Sequence, residues 1–309
     1  MKIQINFSRT PPVFEVGEII EGTVVLMDDQ EFAGKTVSIR AKGKVKNRWY
    51  ISTGQSTLVY QAIIDVFEKT DVVVLEKSRF NEAQIPFNFK IPPNCLPSFK
   101  ESDARIEYKI TVFILKNTST ETKHKAKFFI NNHLDLRYFP ELSQPLEIIN
   151  EKSIGLWPFK KGDVMMKVLL PRKGWAWGEL CPVTVLIENS SSRVIDQLEI
   201  LLNQRHHFRG YLRRKKGISI DDKLLDGSWA EKRKATKTLV WEKIAVQVPQ
   251  NSVKELTISL QIPTASCSFE CPISKLDYQL KVIAHSLHTT ASKVELKSEI
   301  VLGSTPFKS

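Results

Sequence analysis

The residues of this 309-residue sequence best suited to chemistry are its four cysteines, its six histidines and a dense run of cations. Cys267 and Cys271 stand close enough along the chain to suggest a metal site. A structural zinc site takes four Cys or His ligands in paired spacings, and no second pair lies nearby, so no metal is expected. With Cys95 and Cys181 the total is too small for a disulfide framework. His206 and His207 are adjacent at the end of a strand pattern, so they face opposite ways, and no motif supplies a carboxylate or nucleophile partner. Ala33-Gly-Lys-Thr36 ends like a phosphate-binding loop, but Asp29 stands where that loop needs glycine and a strand pattern follows. No nucleophile elbow or zinc-protease signature occurs. Neither an enzyme nor a cofactor is expected.

The cations offer binding instead. The formal net charge is +11, which favours anionic partners. Segment 205–237 holds eleven cations against four anions. Within it, Arg209, Arg213, Arg214, Lys215 and Lys216 are the candidate contacts to acidic phospholipid or phosphate. Near an acidic bilayer each such residue contributes about 1 kcal/mol. Nucleic acid is not expected, because the aromatics form no stacking set and no recognition helix is apparent.

Strands must position these groups. In 36–46, Val37, Ile39, Ala41, Gly43 and Val45 share one face, while Arg40, Lys42, Lys44 and Lys46 share the other. Ile106–Ile114, Leu198–Leu202, Leu256–Ile262 and Leu276–Ala284 alternate in the same way, and Pro, Gly, Asn and Asp clusters separate the runs. Only 221–236 is a candidate for a helical turn or two. Asn117 and Asn189 match the glycosylation pattern but are expected to be ordinary loop residues, since Met1–Arg9 lacks the apolar stretch of a signal peptide. No apolar run reaches the ~18 residues of a membrane span. A cytoplasmic protein with reduced thiols is expected.

An internal repeat sets the domain plan. Val16–Leu26 lines up with Trp177–Ile187, Phe87–Pro92 with Ile258–Pro263, and Ile106–Val112 with Leu276–Val282, at offsets of 161, 171 and 170 residues. Three matches in one order imply two copies of one all-β sandwich. They are expected over 1–147 and 163–309, with a packed connection at 148–162.

The residues also resemble a known family, the arrestin-domain-containing proteins or α-arrestins. Gly17-Glu18, Val37-x-Ile39, Arg48-Trp49, Ile85-Pro-Phe and Pro97-Ser-Phe99 carry the likeness in the first half. Pro171-x-x-Gly174, Gly178-Glu179, Ile187-x-Asn189, Cys271-x-Ile273 and Ile300-Val-Leu-Gly303 carry it in the second. The resemblance implies two arrestin-type immunoglobulin-like sandwiches in tandem. It further implies a non-catalytic adaptor in protein transport, binding membrane cargo or receptors for endocytic or endosomal sorting, peripheral to the plasma membrane or endosomes. Relatives of this kind recruit ubiquitin ligases through Pro-Pro-x-Tyr; none occurs here, so any link to that machinery is expected to be indirect. The paired lysines that receptor-arresting relatives carry on the first strand are absent from Lys2–Phe7. Cys271 falls where a thioredoxin-interacting branch of the family resembles it in placing a mixed-disulfide cysteine. A retromer-type sorting subunit and a thioredoxin-binding redox regulator are the alternatives.

Overall fold

The computed structural model describes residues 1–27, 35–75, 82–116, 119–131, 133–156, 159–212, 230–286 and 293–307. Its chain divides into two compact units. The first is Met1–Asn132 joined by Phe208–Lys232 and Cys271–Ser274, and the second holds the rest.

In chain order the first half contributes β1 (Lys2–Phe7), β2 (Val13–Phe14), β3 (Ile19–Met27), β4 (Thr36–Ser52), β5 (Thr57–Val74), β6 (Glu82–Lys90), β7 (Phe99–Lys100), β8 (Ala104–Lys116) and β9 (Ser119–Ile130). One sheet of this unit runs β1-β3-β6 and the other β5-β4-β8-β9, antiparallel throughout, with β2 beside the end of β9. The alternation explains this arrangement. Val37, Ile39, Ala41 and Val45 of β4 are buried together with Ile106, Ile110, Val112 and Ile114 of β8, and Ile20, Val24, Phe87 and Phe89 of the smaller sheet complete the core. Phe7 closes it edge-on to Phe87, with ring centroids 6.2 Å apart.

The second half contributes β10 (Leu146–Leu156), β11 (Phe159–Leu170), β12 (Gly174–Ala176), β13 (Leu180–Asn189), β14 (Ile195–Leu212), β15 (Glu231–Val248), β16 (Ser252–Gln261), β17 (Phe269–Cys271), β18 (Ser274–Ser286) and β19 (Lys293–Gly303). One sheet runs β10-β11-β13-β16; facing it are β12, β19, β18 and β14, with β15 on β14. Val164, Val168, Val185, Ile200, Leu260, Leu280 and Leu302 are among the side chains of its single core. Two stacked, mainly antiparallel sheets per unit make the fold the tandem all-β sandwich expected.

Several details differ from expectation. Within 148–162, where a packed connection was expected, 148–156 belong to β10 and 159–162 to β11, with Ile148 opposite Val168 and Lys152 opposite Val164. The first unit's leading stretch ends at Asn132, and the second unit's begins at His133. The apolar residues Ile148 and Ile149 belong to this strand pairing, which is why the segment lacked the composition of a loose tether. Glu231–Thr236 are strand rather than helix, and 221–229 lie outside the described residues. Asn189 is not a loop residue: it ends β13, is buried, and its Nδ2 donates to Arg193 O, Val248 O and Pro249 O. That amide closes the chain reversal after β13, a use of Asn that the Asn-Ser-Ser pattern does not reveal.

The repeat is structural as well as sequential. Gly17 and Gly178 both have positive φ, +82° and +80°, where other residues are strained. One residue on, Glu18 Oε2 accepts from Glu15 N and Glu179 Oε2 from Ala176 N, at 2.8 and 2.7 Å. Arg9 pairs with Glu18 and lies over Phe14; Arg172 pairs with Glu179 and lies over Trp175. The Tyr108 hydroxyl donates to Leu96 O, and the Tyr278 hydroxyl to Ser266 O, each twelve residues upstream. Ser98 and Ser268 both accept from the last strand of their unit, from Ile130 N and Leu302 N. One set of side-chain ties therefore builds both sandwiches.

Candidate functional site

Of the sequence-predicted contacts, Arg209 is described and Arg213, Arg214, Lys215 and Lys216 lie outside the described residues. The backbone at Arg209 is held firmly. Asn47, fully buried on β4, donates through Nδ2 to Arg209 O at 3.1 Å and Ile273 O at 2.6 Å, and Arg209 N donates to Ile273 O at 2.9 Å. Tyr211 and Leu212 pair with Gln61 and Tyr60 of β5. The next residue, Gly210, leaves room for Trp49, whose Cη2 would lie 2.6 Å from a Cβ added there. Trp49 is buried, stacks on Tyr60 at 5.6 Å and packs against Phe208. This anchoring leaves the Arg209 side chain exposed.

Cys271 is half-buried and has no disulfide. It lies within electrostatic range of Tyr108, whose hydroxyl is driven upward by burial and by the neighbouring Cys95 thiol. Cys95 itself is pushed up to about 11 and Cys181 to about 12, burial being the cause, so neither is a thiolate near neutrality. His206 and His207 do face opposite ways. His206 is buried edge-on to Phe269, and His207 is half-exposed with Nε2 3.1 Å from Asp277 Oδ2. Burial lowers the His207 imidazole despite Asp277. Among the described residues no group of three or more His, Cys, Asp or Glu is placed to hold a metal.

A second concentration of charge emerges only from the strand register of the first unit. Arg40, Lys42, Lys44, Lys46 and Arg48 of β4 share the outward face. Opposite them on β8, Arg40 meets Thr111, Lys42 meets Lys109, Lys44 meets Glu107 and Lys46 meets Arg105. One strand further, Lys109 meets Lys127, Thr111 meets Lys125 and Phe113 meets Lys123. A bulge in β5 after Asp65 turns both Asp65 and Glu68 towards the same face. The result is a cleft of ≈ 250 Å³ lined by Arg40, Lys42, Lys44, Glu107, Lys109, Thr111, Phe113, Lys123 and Lys125. Arg40 and Lys123 approach the Phe113 ring from above at 4.9 and 4.8 Å.

Among the described residues three carboxylates serve this face, Asp65 and Glu68 from β5 and Glu107 from the middle strand β8. Asp65 and Glu68 engage Lys42, and Glu107 contacts Lys109 at 3.0 Å and Lys127 at 3.5 Å. Burial alone would raise Glu107; the Lys109 hydrogen bond and the Lys127 and Arg105 charges outweigh it and hold the carboxyl below its ordinary value. Burial, followed by repulsion from Arg105 and Arg48, holds the Lys46 ammonium low. Arg40 Nε lies 3.4 Å from Glu68 but off the hydrogen-bond direction, and it and Arg48 Nε are buried without an acceptor. The sequence shows the β4 row and the Lys123-x-Lys125-x-Lys127 alternation separately; what joins them is the register with β8.

On the corresponding face of the second unit, the lysines of β18 and β19 each meet a carboxylate. Lys281, Lys293 and Lys297 converge on Glu295. Arg205 pairs with the buried Asp277 and with Glu299, which also takes Lys275 at 2.8 Å. Glu199 contacts Lys243 and His285.

Known proteins resemble this chain along nearly its whole length. Residues 3–137 match the family described as arrestin (or S-antigen), N-terminal domain, and residues 160–307 match its C-terminal domain. Arrestin domain-containing protein 4 of Homo sapiens is 22% identical over 315 residues, covering 95% of this chain and 69% of that protein. Its Mus musculus counterpart is 22% identical over 312 residues, with the same coverage. Thioredoxin-interacting protein of Mus musculus is 22% identical over 205 residues, covering 62% of this chain and 50% of that protein.

Proposed function

The chain belongs to the arrestin family, and from that membership we propose that it is a non-catalytic adaptor of intracellular protein transport, a cytoplasmic scaffold that holds membrane cargo proteins or receptors for endocytic or endosomal sorting. The observation that carries this is the family match to both domains in order, over 95% of the chain for one relative. The broad cationic face and the exposed Arg209 suit binding rather than turnover. Within the same proposal, Arg209, Arg213, Arg214, Lys215 and Lys216 serve an acidic phospholipid surface. Ubiquitin-ligase machinery is an indirect partner within the same proposal. Thioredoxin binding through Cys271 finds less support, because the likeness to the thioredoxin-interacting protein covers only 62% of the chain.

Proximity labelling of the full chain in its native cell, paired with affinity capture, tests the adaptor role. Transmembrane cargo and sorting machinery, captured sub-stoichiometrically, are the expected result. A fixed stoichiometric subunit complex, or turnover by the purified protein that maps to a defined residue, would overturn it. Reversing Arg213, Arg214, Lys215 and Lys216 to Glu is expected to abolish flotation with phosphatidylserine vesicles.

A further inference from the structure

We propose that Thr236 of β15 is a phosphorylation site for a protein kinase that selects basic residues before its acceptor, and that the phosphate releases the basic segment 205–237 from acidic phospholipid. The release rests on the phospholipid contact proposed above; the acceptor is carried by charge order, exposure and hydrogen bonding.

The first argument is charge order. Lys232, Arg233 and Lys234 stand four, three and two residues before Thr236. A kinase cleft that lines the sites preceding its acceptor with carboxylates is complementary to this order. Three and two residues before Thr238 stand Ala235 and Thr236, so the neighbouring threonine lacks it.

The second argument is access. Every residue from Glu231 to Thr238 is exposed, so this end of β15 puts no side chain into the core. Among the described residues, β14 is its only partner strand. A stretch without buried apolar contacts opens from its sheet at small cost, and β15 already has the extended form in which a kinase cleft takes its substrate.

The third argument is the hydroxyl. Thr236 and Thr238 are two residues apart and share a face. Thr238 Oγ1 donates to Asn203 Oδ1 of β14 at 2.8 Å. Among the described residues the Thr236 hydroxyl has no such acceptor. Lys234, on the same face, bears on His207, so the contacts at Asn203 and His207 bracket Arg205. That guanidinium is already held by Asp277 and Glu299. A phosphate on Thr236 therefore spends its charge on the exposed lysines of β15.

In the modification the Thr236 oxygen attacks the γ-phosphorus of a nucleoside triphosphate. The new P–O bond forms as the bond to the departing diphosphate breaks, and the hydroxyl proton passes to the kinase's base. The phosphate carries about −1.5 to −2 charges at neutral pH. Glu231–Lys237 holds four cations and one anion, so most of the local surplus is cancelled, and attraction to an acidic leaflet falls with it.

A simpler explanation covers part of this. Threonine suits strands, and lysines on an edge strand discourage edge-to-edge pairing. Neither requires three successive cations before one of two threonines.

The test treats the full chain with ATP and either the catalytic subunit of cyclic-AMP-dependent protein kinase, which selects basic residues, or casein kinase 2, which selects acidic ones. Mass spectrometry maps the phosphate. Phosphate on Thr236 from the first kinase and not from the second is expected. Arg233→Gln with Lys234→Gln should slow its incorporation by about tenfold or more. Affinity for phosphatidylserine vesicles should fall by about tenfold or more on modification. The Thr236→Ala protein, its fold checked by circular dichroism, should keep its vesicle binding after the same treatment. No phosphate on Thr236, or equal labelling of Thr238, would overturn the acceptor. Vesicle binding that survives full modification, or an equal loss in treated Thr236→Ala protein, would overturn the release. If the unmodified chain fails to float while Thr236 takes phosphate, the phospholipid reading falls and the acceptor stands.

Discussion

In the first unit, Glu107 is shared by Lys109 and Lys127 while Lys46, Arg48, Lys123 and Lys125 stand on the same face. In the second, Glu295 alone gathers Lys281, Lys293 and Lys297, and Asp277 and Glu299 absorb Arg205 and Lys275. The two sandwiches otherwise share their ties: a positive-φ glycine and a glutamate at the entry of β3 and β13, a tyrosine hydroxyl reaching twelve residues back, and a serine hydroxyl accepting from the last strand. What is common to both copies holds the fold, and what differs between them is free to serve binding. Excess like charge lowers stability, and Lys123 and Lys125 of the first copy meet no carboxylate among the described residues, whereas the lysines of β18 and β19 each do.

The shared ties can be broken one copy at a time. Tyr108→Phe and Tyr278→Phe each strip a half-buried carbonyl of its tyrosine donor, and each is expected to cost about 1–3 kcal/mol in urea unfolding. Losses of similar size support a duplicated tie; a loss in only one copy would break the equivalence.

The contrast in charge predicts a smaller, pH-dependent effect. Burial would raise the Glu295 carboxyl, but hydrogen bonds from Lys297 and Lys281 outweigh this and lower it from 4.5 to about 2. A carboxyl depressed on folding adds stability that is fully present above its ordinary value. That stability is lost as pH falls from about 4.5 towards 2. Glu295→Gln is therefore expected to cost about 1–2 kcal/mol at neutral pH after allowance for solvent screening, with the difference from the parent vanishing in acid. Thermal melts from pH 7 to pH 2 check this, and a constant difference across that range would contradict it.

The smallest effect carries the opposite sign. Lys46 is held low by burial and by repulsion from Arg105 and Arg48. Lys46→Gln is thus expected to leave stability unchanged or raise it by a few tenths of a kcal/mol, more so at low salt. A clear destabilisation would show that the first unit's face is as fully compensated as the second's.

Much of this was legible in the sequence. Period-two alternation and the repeated Gly-Glu revealed two sandwiches, because burial on one face forces that pattern whatever the strand order. The register did not show, since nothing local to Lys42 or Lys125 says that Lys109 and Thr111 lie between them. The β5 bulge that turns Asp65 and Glu68 to the same side is likewise a property of pairing rather than of composition. Around 148–162 the prolines Pro140, Pro145 and Pro158 interrupt the alternation, and the pairing of Ile148 with Val168 shows only in the register. Asn189 misled because a buried amide and a glycosylation acceptor share one short pattern.

Hydrogen–deuterium exchange on the full chain and on its Tyr108→Phe and Tyr278→Phe variants tests most directly whether one set of ties builds both copies. Faster exchange around Leu96 and β8 in the first variant, and around Ser266 and β18 in the second, is the predicted result. Unchanged exchange in either variant would contradict it.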